Sequence, residues 1–488
     1  MKSTKIVYFL ISLSLSLFSS YCLSQNTFEF TIKDTLTDQL INDAVELDNG
    51  SYLLLGAEVY PTDHSKVHLY RISAAGGLLD SLTLTYQGKS SGFIKIIQID
   101  PNLFAIAGYT MINNKGFLWL YEMDSLFSEI RSTIMPMGIY NLYTVSDLLI
   151  NNGRLICAGT ASVGLSDYPF IYKISPSFDS LQLRVLTEHV SGFPIDLLVK
   201  NNNTGYYCFI TGFGPPKTEV MIDLDTSFSI KHTFGVSNDI FNFNETKWIN
   251  ETSMIYCGRY APNIPSQIWS IGVLRLDTLA NTKDEYYIGD ADTNECPGLR
   301  SRIDFIDTNT IYIGGTHNFY QWSEFGPVNC WFSLNQMDTA LNVNWQHFYG
   351  GDANYTMYGI RATQDHGCLM FGSRYDFQGS NLERDIYVYK VDQNGLITGT
   401  DNKPNPRVHN AIVFPNPGTD FLMVETGPQF VGAKMIITDI NGNQVLTKII
   451  NGAHINVNTQ SFSSGTYPWH IIFKNKVIET GKWIKRLP

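Results

Sequence analysis

The chain has 488 residues, of which 16% are charged and 13% aromatic, and its formal net charge is −11. That length carries two or three domains with cores of their own, and so many aromatics beside so few charges exclude a disordered chain. The acidic balance excludes nucleic acid as a partner, because phosphate binding needs clustered lysine and arginine.

Lys2 and Lys5 precede an uncharged run from Ile6 to Phe18, followed by Ser19, Ser20 and Tyr21. A basic start, an apolar stretch of about 13 residues and a small-residue exit predict a secretory signal peptide over residues 1–24, cleaved after Ser24. The run falls short of the roughly 20 residues of a membrane-spanning helix. No later run is long enough, so no transmembrane segment is expected in the mature chain. Tyr21 is too bulky for the processing that lipidates a cysteine such as Cys22.

After an isolated strand pattern, Thr27-Phe28-Glu29-Phe30-Thr31-Ile32, one motif recurs seven times: apolar, polar, apolar, then Asp, Ser or Asn. The instances begin at Tyr70, Tyr121, Tyr172, Ile222, Leu274, Phe332 and Tyr389, at spacings of 51, 51, 50, 52, 58 and 57 residues. Such alternation is a half-buried strand ending in a turn. Upstream of each lies an apolar run closed by glycine, from Leu53-Leu54-Leu55-Gly56 to Met370-Phe371-Gly372. A run of that kind suits a strand covered on both faces, and the glycine permits close backbone approach.

Four strands in about 50 residues is the size of a propeller blade. The expected class is all-β: a seven-bladed β-propeller of four-stranded blades over residues 25–401, then a small C-terminal antiparallel β-sandwich. The last repeat lacks a clear fourth strand, and Thr27–Ile32 would supply it, closing the ring and removing its edges.

Of the cysteines, Cys157, Cys208 and Cys257 recur once per repeat and read as small buried hydrophobes. Cys296 and Cys330 flank one repeat and are candidates for a disulfide staple in an oxidising compartment.

Residues 402–409 form a Pro/Asn linker, stiff and extended. Residues 410–488 carry a different pattern of short alternating strands, with Asn441-Gly442 as a tight-turn signal. Four motifs stand in order here: Phe414-Pro415-Asn416-Pro417, Asp439-Ile440-Asn441-Gly442, Gly465-Thr466-Tyr467, and the closing strand Gly481-Lys482-Trp483-Ile484-Lys485-Arg486-Leu487. This segment resembles the type A C-terminal sorting domain of the type IX secretion system of Bacteroidetes-type bacteria. The resemblance implies Ig-like folding, the secretion machinery as partner, and a secreted or outer-membrane surface location. Pro468 departs from the family pattern and predicts an edge or bulged strand, since proline removes a ladder donor. Lys482, Lys485 and Arg486 make a basic end suited to docking on an acidic or edge-strand partner.

No catalytic signature stands out: Gly-x-Ser-x-Gly, His-Glu-x-x-His and phosphate-loop patterns are missing, and the ten histidines have no metal-ligand spacing. Neither metal nor cofactor is expected. Asp290 to Glu295 resembles the start of a calcium loop but lacks its central glycine and twelfth-position glutamate. Tyr320 and Trp322, beside Ser323 and Glu324 in the longest inter-strand loop, are the candidate ligand contacts, as aromatics beside carboxylates stack on sugar rings. Trp331 and Trp345 fall on strands and read as core. The favoured function is a non-catalytic surface or secreted propeller that binds a glycan or a protein. The alternative is a glycan hydrolase or lyase with acidic residues at the channel mouth.

Overall fold

The computed structural model describes residues 26–33, 37–60, 65–189, 196–212, 218–237, 239–261, 268–290, 292–320, 323–379, 383–397, 411–414, 418–426, 431–452, 454–473 and 476–486. The expected signal peptide, the linker, Trp322 and Pro415 to Pro417 lie outside them. The chain divides into two compact units, residues 1–400 and 401–488.

In the first unit the described residues form seven antiparallel sheets. Blade one is Asp38–Glu46, Tyr52–Val59, Ser65–Ile72 and Leu78–Leu84, in that order. Blades two to six repeat the meander. Among the described residues blade seven has three consecutive strands, Asn354–Ala362, Cys368–Tyr375 and Arg384–Val391. Phe28–Ile32 pairs antiparallel with the last of these, from Phe28 opposite Lys390 to Ile32 opposite Ile386. Blades seven and one then share a core: Ile41, Ala44, Tyr52 and Leu54 pack with Tyr358, Leu369, Phe371 and Ile386, under Phe28 and Phe30. The ring is closed, as the orphan strand predicted.

Burial follows position within the blade. The second strand of blade one is buried from Tyr52 to Glu58, because neighbouring blades cover both its faces. The outermost strand of blade six, Val343–Gly350, alternates half-buried with exposed. The glycines that close the apolar runs have a specific cause. The innermost strands bulge, with register shifts at Ile41/Asp43, Phe93/Lys95, Val145/Asp147 and Met357/Gly359. Each bulge presses a carbonyl onto the second strand: a Cβ on Gly159 would lie 2.2 Å from the Thr144 oxygen, and one on Gly372 2.1 Å from that of Thr356. The repeated glycine therefore marks the repeated bulge.

The recurring fourth position of the motif is a turn device. Asp124, Asp225, Asp277, Asp338 and Asp392 each accept, through Oδ1, the amides two and four residues on, at 2.8 to 2.9 Å. The residue three on is left-handed. It is Gly395 in blade seven, but Phe127, Phe178 and Phe228 in blades two to four, with the rings buried. In blade six the turn aspartate is Asp338, so the true motif is Asn335-Gln336-Met337-Asp338. The reading from Phe332 is three residues early, because Phe332-Ser333-Leu334-Asn335 mimics the same alternation within the same strand.

The disulfide is not formed: Cys296 and Cys330 are separate buried thiols. Cys296 faces Thr316 of the strand Ile311–His317, while Cys330 leads into Trp331–Met337 on that strand's other side. Two strand spacings of about 4.8 Å already exceed the roughly 7 Å reach of a disulfide. Cys330 Sγ instead donates to the Asn318 carbonyl at 3.0 Å.

In the second unit the described residues form two sheets. One contains Ala411–Phe414, Phe421–Thr426 and His454–Asn458. The other runs Gln444–Ile449, Lys434–Thr438, Gly465–Phe473, Lys476–Lys485. Leu422, Val424, Ile455 and Val457 from the first pack on Met435, Ile437, Ile471 and Trp483 from the second, which makes a β-sandwich. Asp439 repeats the blade turn, accepting from Asn441 and Asn443, with Gly442 left-handed at φ 85°. The strand bearing Pro468 lies between two others rather than at an edge, and it is bulged, with a register shift at Ile471/Ile472 against Lys476–Lys485. Proline is tolerated because pairing with Lys434–Thr438 ends at Ile437–Trp469, one residue earlier, and needs no amide there.

Candidate functional site

The innermost strands surround a channel, and their bulges decide which side chains enter it. Asp43, Lys95, Asp147, Asp196, Glu245 and Arg361 line a cavity of about 480 Å³. The first five are spaced by 52, 52, 49 and 49 residues, in phase with the blades. Sequence reading missed this ring, although its phase was visible.

Most of the ring joins one blade to the next. Asp43 Oδ2 accepts the Ile96 amide of blade two at 3.1 Å. Glu245 accepts the Arg302 and Ile303 amides of blade six, and Asp304 accepts the Ala362 amide of blade seven at 2.9 Å. Arg361 closes the circle with an ion pair to Asp43 and a bond to the Ala44 carbonyl at 2.9 Å. Lys247 pairs with Asp304 at 2.5 Å.

Asp196 differs: its Oδ2 is buried with no hydrogen-bond partner among the described residues. Burial, then the charges of Asp147 and Glu245, push its carboxyl well above the carboxylate range. For Glu245 burial opposes the charge, yet Lys247, Arg302 and Lys95 hold it down to about 2. Between blades four and five, fully buried Glu219 accepts from Thr211 Oγ1 at 2.6 Å and from Asn244 Nδ2, and burial raises it to about 7.

A raised folded pKa means that stability is full below the unfolded value and is lost as pH rises through the folded one. Glu219 should therefore cost stability progressively from about pH 4.3 to about 7. Gln at this position keeps an acceptor for Asn244 and a donor for Thr211. Glu219→Gln is expected to match wild type near pH 4.5 and to exceed it above pH 7 by on the order of 3 kcal/mol in urea unfolding. Parallel pH profiles would contradict this.

Blade six breaks the ring's regularity. Its innermost strand is split into Glu295–Pro297 and Ile303–Asp304. Between them the backbone leaves its own sheet at Pro297-Gly298 and bonds to blade seven: Leu299 N to Met357 O at 3.1 Å, and Arg300 N to Tyr358 O at 2.7 Å. Leu299 and Arg300 consequently line both the ringed cavity and a second one of about 610 Å³ toward the mouth. Tyr109, Tyr143, Phe243, Phe319 and Tyr358 line the mouth, and Tyr143 is 59% exposed.

The long loop of blade six does reach the mouth, but through Phe319 and Glu324. Glu324 pairs with Arg384 and accepts from the Tyr358 hydroxyl, while Arg384 also bonds Asp38 at 3.3 Å. Tyr320 does not line the cavity; it is half-buried over Gly326, where a Cβ would lie 2.4 Å from its own. Trp331 and Trp345 are half-buried rather than core. In the calcium-like segment, Asn294 Oδ1 accepts the Trp269 amide at 2.9 Å, and Glu295 is bonded to His317 at 2.5 Å.

In the C-terminal unit the Tyr467 hydroxyl donates to the Ser463 carbonyl at 2.8 Å, closing the turn ahead of Gly465. The last strand docks on the segment after Phe414: Gly418 N donates to Ile484 O at 2.9 Å, and Arg486 N to Gly418 O at 2.8 Å. Lys485 is not a free basic group. It is buried, with its ammonium on the Thr419 carbonyl and near Asp420 at 3.4 Å. Lys482 and Arg486 are exposed. Residues 412–486 match the family described as the secretion system C-terminal sorting domain. The sorting domain marks its carrier for export to the cell surface or for secretion.

Several solved structures are similar to the chain. One is a protein of unknown function from Dyadobacter fermentans, at 10% identity and TM-score 0.43, covering 74% of this chain and 97% of that one. Another is PorZ, a surface component of the type IX secretion system of Porphyromonas gingivalis, at 10% identity and TM-score 0.25, covering 91% and 81%. A third is the β-propeller domain of the Trilobed protease from Pyrococcus furiosus, at 8% identity and TM-score 0.41, covering 76% and 100%. No curated protein matches the chain in sequence.

Proposed function

We propose that the protein is an exported binding module: residues 1–24 direct it across the inner membrane, the sorting domain delivers it to the outer surface or medium, and the propeller binds a glycan or protein at its channel mouth. The mouth cavity carries this reading. It combines aromatic walls, of which Tyr109, Tyr143 and Phe243 are at least partly exposed, with a few fixed polar groups, the composition of a ligand pocket. The ringed cavity behind it is spent largely on joining blades. A glycan and protein-partner screen with the full chain tests the reading against Tyr143→Ala and Phe243→Ala; binding unaltered by both places the site elsewhere.

A second reading, a glycan hydrolase or lyase, draws support from Asp196 and Glu245, which line one cavity with ionisation pushed in opposite directions. Turnover lost in both Asp196→Asn and Glu245→Gln would favour it. Deleting residues 411–488 is expected to leave the protein in the periplasm, with surface and medium fractions falling at least tenfold by immunoblot. Undiminished delivery would refute the sorting role.

A further inference from the structure

We propose that the channel mouth takes a carboxylate-bearing sugar, with Arg300 receiving the carboxylate; this rests on the binding reading above and names its ligand class. Arg300 sits where the two cavities meet, and its backbone is pinned. Its amide donates to Tyr358 O, the next amide, of Ser301, shares that acceptor at 3.1 Å, and its carbonyl lies 3.4 Å from Lys95 Nζ. Its side chain makes no ion pair or hydrogen bond among the described residues, and its Nε is buried without a partner. Neighbouring cations are committed: Arg361 to Asp43, Lys247 to Asp304, and Arg384 to Asp38 and Glu324.

A guanidinium with no ion pair among the described residues, at the junction of two cavities in a chain of net charge −11, is available to an incoming anion. Arg300 is half-buried, with its Nε enclosed and its remaining donors turned to the cavities, and the geometry of arginine matches a carboxylate in a bidentate fork. The walls choose the carrier. The cavity of about 610 Å³ is far too large for a bare inorganic anion. Tyr109, Tyr143 and Phe243 offer ring faces, while Asn42, Ser65 and Thr144 add a few polar groups fixed by bonds to Phe93 O, Ser90 Oγ and Val145 O. Flat faces beside a few small polar groups suit a sugar ring better than an extended peptide, whose amides ask for a strand edge.

The test is calorimetric titration of the full chain with galacturonate and mannuronate trimers, their methyl esters, and an acidic tripeptide. At least one acid trimer should bind, and its ester, which has the same ring and no charge, should bind at least tenfold more weakly. Arg300→Gln should weaken the acid by about tenfold to a hundredfold, the range for one charged hydrogen-bonded pair. Arg300→Lys, which keeps the charge and loses the fork, should recover only part of it. Ester binding equal to acid binding overturns the proposal, as do an Arg300→Gln variant that binds like wild type and a tripeptide that binds better than the sugars. The ester comparison needs no variant, so it stands even if Arg300→Gln folds poorly. Neutral-glycan binding that Tyr143→Ala weakens would defeat the carboxylate while leaving the mouth as the site. Loss of every ligand effect at both Arg300 and Tyr143 would defeat both readings.

Discussion

Replacing Phe28 and Phe30 together by alanine is expected to bring the propeller close to unfolding. Both rings are more than nine-tenths buried in the core that blades seven and one share. Phe28 also covers the last turn of blade one, between Ser65–Ile72 and Leu78–Leu84, where a Cβ on Gly76 would lie 2.5 Å from the Phe28 ring. Each large-to-small change of this kind costs about 3–5 kcal/mol. The pair therefore approaches the whole stability of an ordinary domain, about 5–15 kcal/mol. Two effects add to the cavity term. Without the latch strand, the outer edge of Arg384–Val391 loses its partner from Ile386 to Lys390. An open edge rich in tyrosine and valine is a template for pairing with another chain. Urea unfolding should show a sharply lowered midpoint, and light scattering should show concentration-dependent aggregation. A midpoint within the error of wild type would mean that Phe28–Ile32 decorates the ring without closing it.

What the sequence revealed and what it hid divide along physical lines. The outer three strands of each blade keep regular alternation or solid apolar runs, so the motif, the glycine and the repeat count could be read directly. The latch strand was legible because Phe28 and Phe30 alternate with polar residues, and because blade seven ran out of strands. The channel ring was not read, because a bulge interrupts the period of two wherever Asp43, Lys95 or Asp147 turns inward. Its only trace is a charge recurring about every 50 residues, which is invisible until the blades are aligned. Arg300 was harder still: Pro297 and Gly298 announce a break, but nothing local says that the released backbone will bond to Tyr358 of another blade. Tyr320 and Trp322 were chosen for residue type in a long loop. That loop does approach the mouth, but Gly326 leaves room for Tyr320 to fold back, and Phe319 and Glu324 take the inward positions. In the sorting domain the motif order was enough to find the family. Lys485 looked like a surface charge only because its acceptor, the Thr419 carbonyl, lies 66 residues away.

The channel ring gives the second large expectation. Arg361→Met should destabilise the protein by about 3–5 kcal/mol, the cost of leaving a buried carboxylate without its cation. The carboxylate in question is Asp43, whose side chain is 1% exposed. Asp43 would keep its bonds to the Ala44 and Ile96 amides, which temper the loss without neutralising the charge. Arg361 also holds the Ser301 hydroxyl at 2.7 Å and the Ala44 carbonyl, so three blades lose a contact at once. Asp43→Leu alone should be comparably costly, since it strands the guanidinium and frees the Ile96 amide. The double variant separates charge from hydrogen bonding: with neither ion present, it should recover part of the loss but fall short of wild type, because the Ile96 amide and Ala44 carbonyl remain unpaired. The coupling measured by that cycle should persist at 1 M salt, where exposed pairs are screened within about 3 Å. A coupling that vanishes in salt would assign Asp43 and Arg361 to the wet lining of the channel, and the joining of blade seven to blade one would then rest on their shared apolar core and on Arg384 with Asp38.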